Sequence, residues 1–453
     1  MDKLLIKNGL IVTIDGDDRI IRNGSIYIED NIIKEIGPDL EIGDKPGATV
    51  IDATDKVVIP GLVQVHVHLN QTLFRGLADD MDVVDWLKRR IWPFEQAHTY
   101  DSVYASARLS ILELMKSGTT TAVTMETLNH TEAAFFAAEE MGIRAVIGNV
   151  LMDRWEPGTE MKGENIQIAL EKSRQLYESF HGRANNRIQY AFCPRGTRNA
   201  TDELWQEVAQ IAREKQIRVH SHAAENKAQT KRLSEFGGSE VNYLHKMGVL
   251  GPNLILAHAI WLTDQELELL TESGTHIAHC PSANFKLASG IAPVPAMLER
   301  EINVAVGADG APCNNNLDAF MEMRLAALIH KPRFGPKSMP AGKVLEMMTM
   351  GGARAAGLDH EIGSLEPGKK ADLVLINKNA AHAFPAFASN PVTRVVYEHQ
   401  SRDVDVVIAD GEILIQKGNS VNFDEEEILS QSEDALLRLL NRLPESLRSE
   451  LTK

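Results

Sequence analysis

Short apolar runs and longer stretches with apolar residues every three or four positions share the chain unevenly, with strands gathered at both ends. Leu4 to Ile14, Gly24 to Ile28 and Ile32 to Ile36 read as short strands, parted by the turn residues Asp15-Gly16-Asp17-Asp18 and Glu29-Asp30-Asn31. Towards the other end, Ala371 to Ile376, Val392 to Tyr397, Val404 to Ile408 and Gly411 to Ile415 read the same way. Between about residues 58 and 365, strand-like runs alternate with helical patterns at Asp101 to Ser117, Glu203 to Lys215 and Asp264 to Ser273. That is the rhythm of repeated strand–helix units. The final stretch, Asp424 to Lys453, sets leucines at helical spacing among charges and predicts a docked surface helix.

Several of the apolar runs end in metal-binding or acid–base side chains. The run Val57 to Val65 reads as one buried strand that ends in His66-Val67-His68. Strand alternation places residues 66 and 68 on one face. Two neutral imidazoles held by one strand can ligate zinc or iron at little cost in ordering entropy. Alone, such a pair more often marks a surface strand edge. Three further runs change the balance: Ile217 to His222 with Glu225 just beyond, Leu254 to His258, and Ile302 to Gly310 carrying Asp309. In a barrel of strand–helix units, residues at the carboxyl ends of different strands share one pocket. Imidazoles, a Glu and an Asp would meet there, the donor set of a mononuclear metal hydrolase with acid and base groups beside it. His220 is read as facing away from His222 and as structural.

Composition narrows the classes. A net charge of −16 disfavours a nucleic-acid surface and an anionic membrane surface, since both need clustered Lys and Arg. Cys193, Cys280 and Cys313 are widely spaced and odd in number, which suits neither a disulfide framework nor a thiolate zinc site and fits a reducing cytoplasm. Charges interrupt the apolar residues of Met1 to Asn8, so no signal peptide is expected, and no run reaches the length of about 18 apolar residues that spans a membrane. With 453 residues, 43% of them hydrophobic, the chain fits one large barrel and an accessory domain.

Taken in order, Pro60-Gly61-Leu62-Val63 before His66 and His68, His222 with Glu225, His258, His279-Cys280-Pro281-Ser282-Ala283-Asn284, and Gly307-Ala308-Asp309-Gly310 resemble the amidohydrolase superfamily. Within it they resemble the aminohydrolases that deaminate purines, purine nucleosides and triazines. The resemblance implies a (β/α)8 barrel over 58–365, a small β-sandwich formed jointly by 1–57 and 366–422, and a C-terminal helix over 423–453. It implies one divalent ion, Zn2+ with Fe2+ as the alternative, on His66, His68, His222 and Asp309. Such an ion lowers the pKa of its water from about 16 to about 7. Asp309 would take the proton of the water and deliver it to the departing amine. Glu225 would protonate the ring nitrogen beside the attacked carbon, without which attack on an aromatic C–N carbon is uphill. His258 would stabilise charge as it develops, and the 279–284 segment would shape the pocket.

The substrate is less constrained than the reaction. Asp85-Trp86-Leu87, Ile91-Trp92-Pro93 and Glu95 resemble the segment of methylthioadenosine and adenosylhomocysteine deaminases whose Glu binds the ribose hydroxyls; Glu95 suits that task because a carboxylate accepts from two vicinal hydroxyls. Against this, Pro194-Arg195 stands where those deaminases carry a His, and resembles guanine deaminases. Arg195 and Gln71 could read a free base by donating to its ring acceptors. Leu69 to Gly76 is similar to the first loop of triazine hydrolases. The expected activity is therefore hydrolytic deamination of an aromatic N-heterocycle, an adenosine-type nucleoside first, with a guanine-type base or an s-triazine amino- or chlorohydrolase as alternatives. A cyclic amidohydrolase with a carbamylated lysine is further off, because no Lys stands in the apolar strand-end context of Thr119 to Met125. A non-catalytic barrel is further still. The expected partner is a small N-heterocyclic molecule, with no nucleic acid or membrane; a homo-oligomer is compatible with the sequence.

Overall fold

A computed structural model describes residues 3–38, 45–154, 163–227, 233, 238–386 and 389–451. Strands β1 (Lys3–Val12), β2 (Ile20–Glu29), β3 (Ile32–Pro38), β4 (Thr49–Asp52) and β5 (Lys56–Pro60) come first. The barrel strands follow: β6 (Leu62–Val67), β7 (Thr119–Glu126), β8 (Arg144–Leu151), β9 (Ile188–Pro194), β10 (Arg218–Ala223), β11 (Leu254–His258), β12 (His276–His279) and β13 (Val304–Val306). The chain then returns with β14 (Leu373–Asn377), β15 (Val404–Ala409), β16 (Glu412–Gln416) and β17 (Asn419–Ser420).

Strands β6 to β13 pair in sequence order, all parallel. A parallel bridge between Val67 and Asp309 brings the last strand back to the first. Every residue of β6, β7 and β8 is buried. Helices cover the outer face of such a sheet, so its strands read as unbroken apolar runs. Val65, Val123, Val146, Ile255 and Ala278 form one core with Trp92 and with Ala353 and Ala355 of the helix Met350–Ala356.

The second sheet runs β17-β16-β15-β14-β5-β1-β2-β3, with β4 beside β1. The two ends of the chain meet where β5 and β14 pair antiparallel, from Pro60 against Leu373 to Lys56 against Asn377. The sheet folds back on itself: Asn31 donates to Asp410 at 3.2 Å, and Ile32 bridges to Lys370. Ile6, Ile26, Ile28, Leu373, Leu375, Val406 and Ile408 fill the core between its halves. Arg144, at the start of β8, joins sheet to barrel; it is buried and donates to Asp372 at 3.1 and 3.0 Å and to Asp410 at 3.2 Å.

Three expectations are corrected. The run Val57 to Val65 is two strands in two sheets, broken at Gly61, where an added Cβ would lie 2.1 Å from Thr120 Oγ1. Val392 to Tyr397 lies in a helix, Pro391–Tyr397, that buries Val395 and Val396. Asn390 caps it by accepting from Val392 N–H, and Pro391 suits its first turn, so packing and caps outweigh a β-branched run. The C-terminal helix is two helices, Glu425–Leu440 and Glu445–Leu451. No helix among the described residues is long and apolar enough to cross a membrane.

Candidate active site

Four strand ends converge at the carboxyl mouth of the barrel. His66 and His68 come at the end of β6, His222 from β10, His258 from the end of β11 and Asp309 from just beyond β13. The Nε2 atoms of His66 and His68 each lie 3.3 Å from Asp309 Oδ1. His258 Nε2 is 3.8 Å from Asp309 Oδ2 and 3.9 Å from Glu225 Oε1. Ligating atoms of His66, His68 and His222, and of His66, His258 and Asp309, lie within 4.8 Å of one another.

The other side of each ring is engaged. His68 Nδ1 faces the Met125 carbonyl at 2.7 Å, His222 Nδ1 the Arg195 carbonyl at 2.7 Å, and His258 Nδ1 the Asn284 amide oxygen at 2.8 Å. His66 Nδ1 faces His220 Nε2 at 2.8 Å. With Nδ1–H donating outward, each Nε2 presents its lone pair to the centre, as a metal-ligating imidazole requires. His66 Nε2 is fully buried with no hydrogen-bond partner among the described residues. An orphaned lone pair among imidazoles and a carboxylate fits a divalent cation. The expectation for His220 is corrected here: residues 220 and 222 are two apart, so alternation puts them on the same face, and His220 supports His66.

The backbone at these strand ends is strained. Ala224, His258, Ala259 and Asp309 have φ of 52°, 73°, 46° and 65°. Non-glycine residues in this region cost about 1–3 kcal/mol each and persist where surrounding bonds hold them. Here Ala259 N–H donates to the Ala223 carbonyl at 3.0 Å, and Ile260 and Trp261 N–H to the Ala224 carbonyl at 3.0 Å. Asp309 N–H donates to the His66 carbonyl at 2.9 Å.

Burial pushes His66 down to about 4 and holds His222 well below the usual imidazole range, so both are neutral donors at pH 7. Burial alone would raise Asp309, but His66 and His68 outweigh it and hold the carboxyl well below the carboxylate range. For His68 burial works downward, but the adjacent Asp309 carboxylate outweighs it and raises the pKa. Glu225 is raised by burial, with His258 opposing. Two carboxyls a few ångströms from one imidazole are thus pushed in opposite directions, the arrangement of an acid beside a base.

Gln71, Trp86, Trp92, Arg195, Asn199 and Glu225 line the pocket above this centre. The indole N–H groups of Trp86 and Trp92 are buried without a partner among the described residues. Glu95, Arg195 and Gln71, which the sequence suggests for different substrates, are one bonded unit. Arg195 Nη1 donates to Glu95 Oε2 at 2.7 Å and Nη2 to Oε1 at 3.4 Å, while Gln71 Nε2 donates to Oε1 at 2.9 Å. Burial of Glu95 is outweighed by Arg195, which keeps the carboxyl below its ordinary value.

The sequence reading gives Asn284 only a part in shaping the pocket and assigns Glu126 no part in the site. Asn284 orients His258. Glu126, at the end of β7, accepts from Leu69 N–H at 3.1 Å and Asn70 N–H at 2.9 Å, and burial pushes it up to about 7. It pins the loop that follows His68, and the strand-end rule that found the ligands points to it too.

The Amidohydrolase family pattern matches residues 57–414. The chain is 40% identical over 421 residues to a 5'-deoxyadenosine deaminase of Methanothermobacter thermautotrophicus, covering 92% of this chain and 95% of that protein. It is 36% identical over 446 residues to a 5-methylthioadenosine/S-adenosylhomocysteine deaminase of Pelotomaculum thermopropionicum, covering 98% and 100%. The crystal structure of a zinc-bound adenosine deaminase from Xanthomonas campestris superposes with a TM-score of 0.90 at 28% identity, covering 97% of this chain and 99% of that one. With its barrel, its accessory sheet and a site built for a divalent metal ion, the chain belongs to the amidohydrolase family and is a hydrolytic enzyme that cleaves C–N bonds.

Proposed function

We propose that this chain hydrolytically deaminates adenosine-type nucleosides of the 5'-deoxyadenosine, methylthioadenosine and adenosylhomocysteine class. The observation that carries the reading is His258 set between Glu225 and Asp309, 3.9 and 3.8 Å away, beneath a pocket lined by two indoles and by Arg195, whose guanidinium holds Glu95 behind it. The names of the relatives at 36–40% identity support the nucleoside over a free base or a triazine.

His66, His68, His222 and Asp309 would hold the ion, for which we propose Zn2+. When bound, it supplies hydroxide at neutral pH. Glu225, whose pKa burial raises, gives its proton to N1 of the adenine and makes C6 electrophilic. His258, with Nδ1–H committed to Asn284, accepts from the attacking water through Nε2 and orients it. Asp309 takes one proton of that water as its oxygen bonds to C6. The tetrahedral carbon then carries OH and NH2. Asp309 returns its proton to the amine, the C6–N bond breaks and ammonia leaves, while the C6 hydroxyl proton passes to Glu225. The product is the 6-oxo nucleoside with N1 protonated, and both carboxyls are restored. Glu95, oriented by Arg195, accepts from the ribose hydroxyls. Three buried cysteines without a disulfide accord with a cytoplasmic enzyme.

Ammonia release from 5'-substituted adenosines, adenine, guanine and an aminotriazine tests the reading. Nucleosides should lead adenine in kcat/KM by about 10²-fold or more, the worth of one or two charge-assisted hydrogen bonds; preference for adenine, guanine or the triazine overturns it. Glu225→Gln should keep its metal and lose about 10²-fold or more in kcat.

A further inference from the structure

Glu240 opens the helix Glu240–Lys246, is 2% exposed, lines the same pocket as Glu225 and has no part in the chemistry above. One of its oxygens accepts the Ala224 N–H at 2.5 Å, and the other accepts the Thr197 hydroxyl. Ala224 is the left-handed residue immediately before Glu225. Its carbonyl is already held by two N–H groups of the 258–261 turn, so Glu240 completes the clamp on this peptide. Thr197 lies two residues after Arg195, whose carbonyl orients His222 and whose guanidinium holds Glu95.

We propose that Glu240 is a positioning residue for the proton shuttle: it fixes the peptide that aims Glu225 and ties it to the loop that carries Arg195. This rests on Glu225 acting as the proton donor. A strained αL peptide relaxes when one of its holding bonds is removed. A carboxyl displaced by an ångström from a ring nitrogen loses much of its rate advantage, because proton transfer needs hydrogen-bond reach. Both Glu240 oxygens are committed to Ala224 and Thr197, so its loss should reach the reaction through Glu225.

The test is a double-mutant cycle on the metal-loaded enzyme with a 5'-substituted adenosine, reading kcat and KM separately and metal content by elemental analysis. Glu240→Ala should lower kcat by about 10- to 10²-fold with KM within about threefold and metal retained. In the Glu225→Gln background the same change should cost less than about threefold, because the group it positions no longer transfers a proton. Thr197→Val frees the other end of the bridge with little change of volume and should lower kcat in the same sense by a smaller factor; it carries the test if Glu240→Ala does not fold. Equal cost of Glu240→Ala in both backgrounds overturns the proposal, as does a loss confined to KM, or unchanged kcat in both Glu240→Ala and Thr197→Val. Full activity of Glu225→Gln would instead remove the proton-donor reading itself, a result visible before Glu240 is touched.

Discussion

Replacing Arg195 by Met should damage stability and nucleoside turnover together, by amounts that follow from two contacts. Of these, only the 2.7 Å bond from Nη1 to Glu95 Oε2 has the length of a strong charge-assisted bond, worth about 1.5–3 kcal/mol; the 3.4 Å contact adds little. The side chains are 9% and 6% exposed, so solvent does not compensate when one partner goes, and breaking such a pair costs about 3–5 kcal/mol. Part of that is the penalty of a carboxylate left with only the Gln71 amide, so Glu95→Gln together with Arg195→Met should be more stable than Arg195→Met alone. The pH dependence reverses sign. In the wild type the Glu95 carboxyl lies below its ordinary value of 4.5, so its contribution is full above 4.5 and fades as pH falls through the lowered value. Without Arg195, burial dominates and the folded-state value rises above 4.5; the variant should therefore lose stability as pH climbs from that value towards neutrality. Urea unfolding between about pH 4 and 7, with kcat/KM for a 5'-substituted adenosine on the two single variants and the double, measures both effects; nucleoside kcat/KM should fall about 10- to 10²-fold in each single variant. Additivity of the two substitutions within about 0.5 kcal/mol, together with an unchanged pH profile, would refute the view that Glu95 and Arg195 act as a unit.

His68→Ala should lose most of its metal by elemental analysis, since one imidazole fewer at a small ion removes far more affinity than a proportional share. His220→Phe removes the partner of His66 Nδ1 and should weaken metal binding by about 10- to 100-fold in a chelator competition, while the ligands themselves remain. Arg144→Met leaves Asp372 and Asp410 buried without their guanidinium and should cost about 3–5 kcal/mol in urea unfolding, with kcat unchanged because the cluster lies at the amino end of β8, away from the site.

The strand-terminal candidates were legible because a rigid strand both shows its apolar pattern and fixes where its last side chain points. His66, His68, His222, His258 and Asp309 could be chosen from that alone and then joined by resemblance. The helix Asp264–Ser273 was legible to the residue, as Thr263 and Glu266 form a capping box. Pro391–Tyr397 was not: its Val-rich face is buried by tertiary packing, which local propensity does not see. Nor was the break at Gly61, whose cause is the Thr120 side chain 59 positions along the chain. The bonding of Glu95 to Arg195 spans 100 residues, and that of Glu240 to Thr197 spans 43. Such pairings are set by which barrel loops become neighbours, and no periodicity encodes them. His220 could have been placed by the alternation that placed His68.

The bridge from Val67 to Asp309 would give a cation held at these strand ends a second office. The proposed ligands from the first barrel strand and from just beyond the last meet across it, and Asp309 N–H is already bonded to the His66 carbonyl there. An ion on these side chains is therefore a clasp on the ring: it bears on the one junction where the cylinder closes between strands far apart in the chain rather than between successive ones. Free energy of ion binding is then free energy of ring closure, so loading the site and tightening the barrel are a single equilibrium.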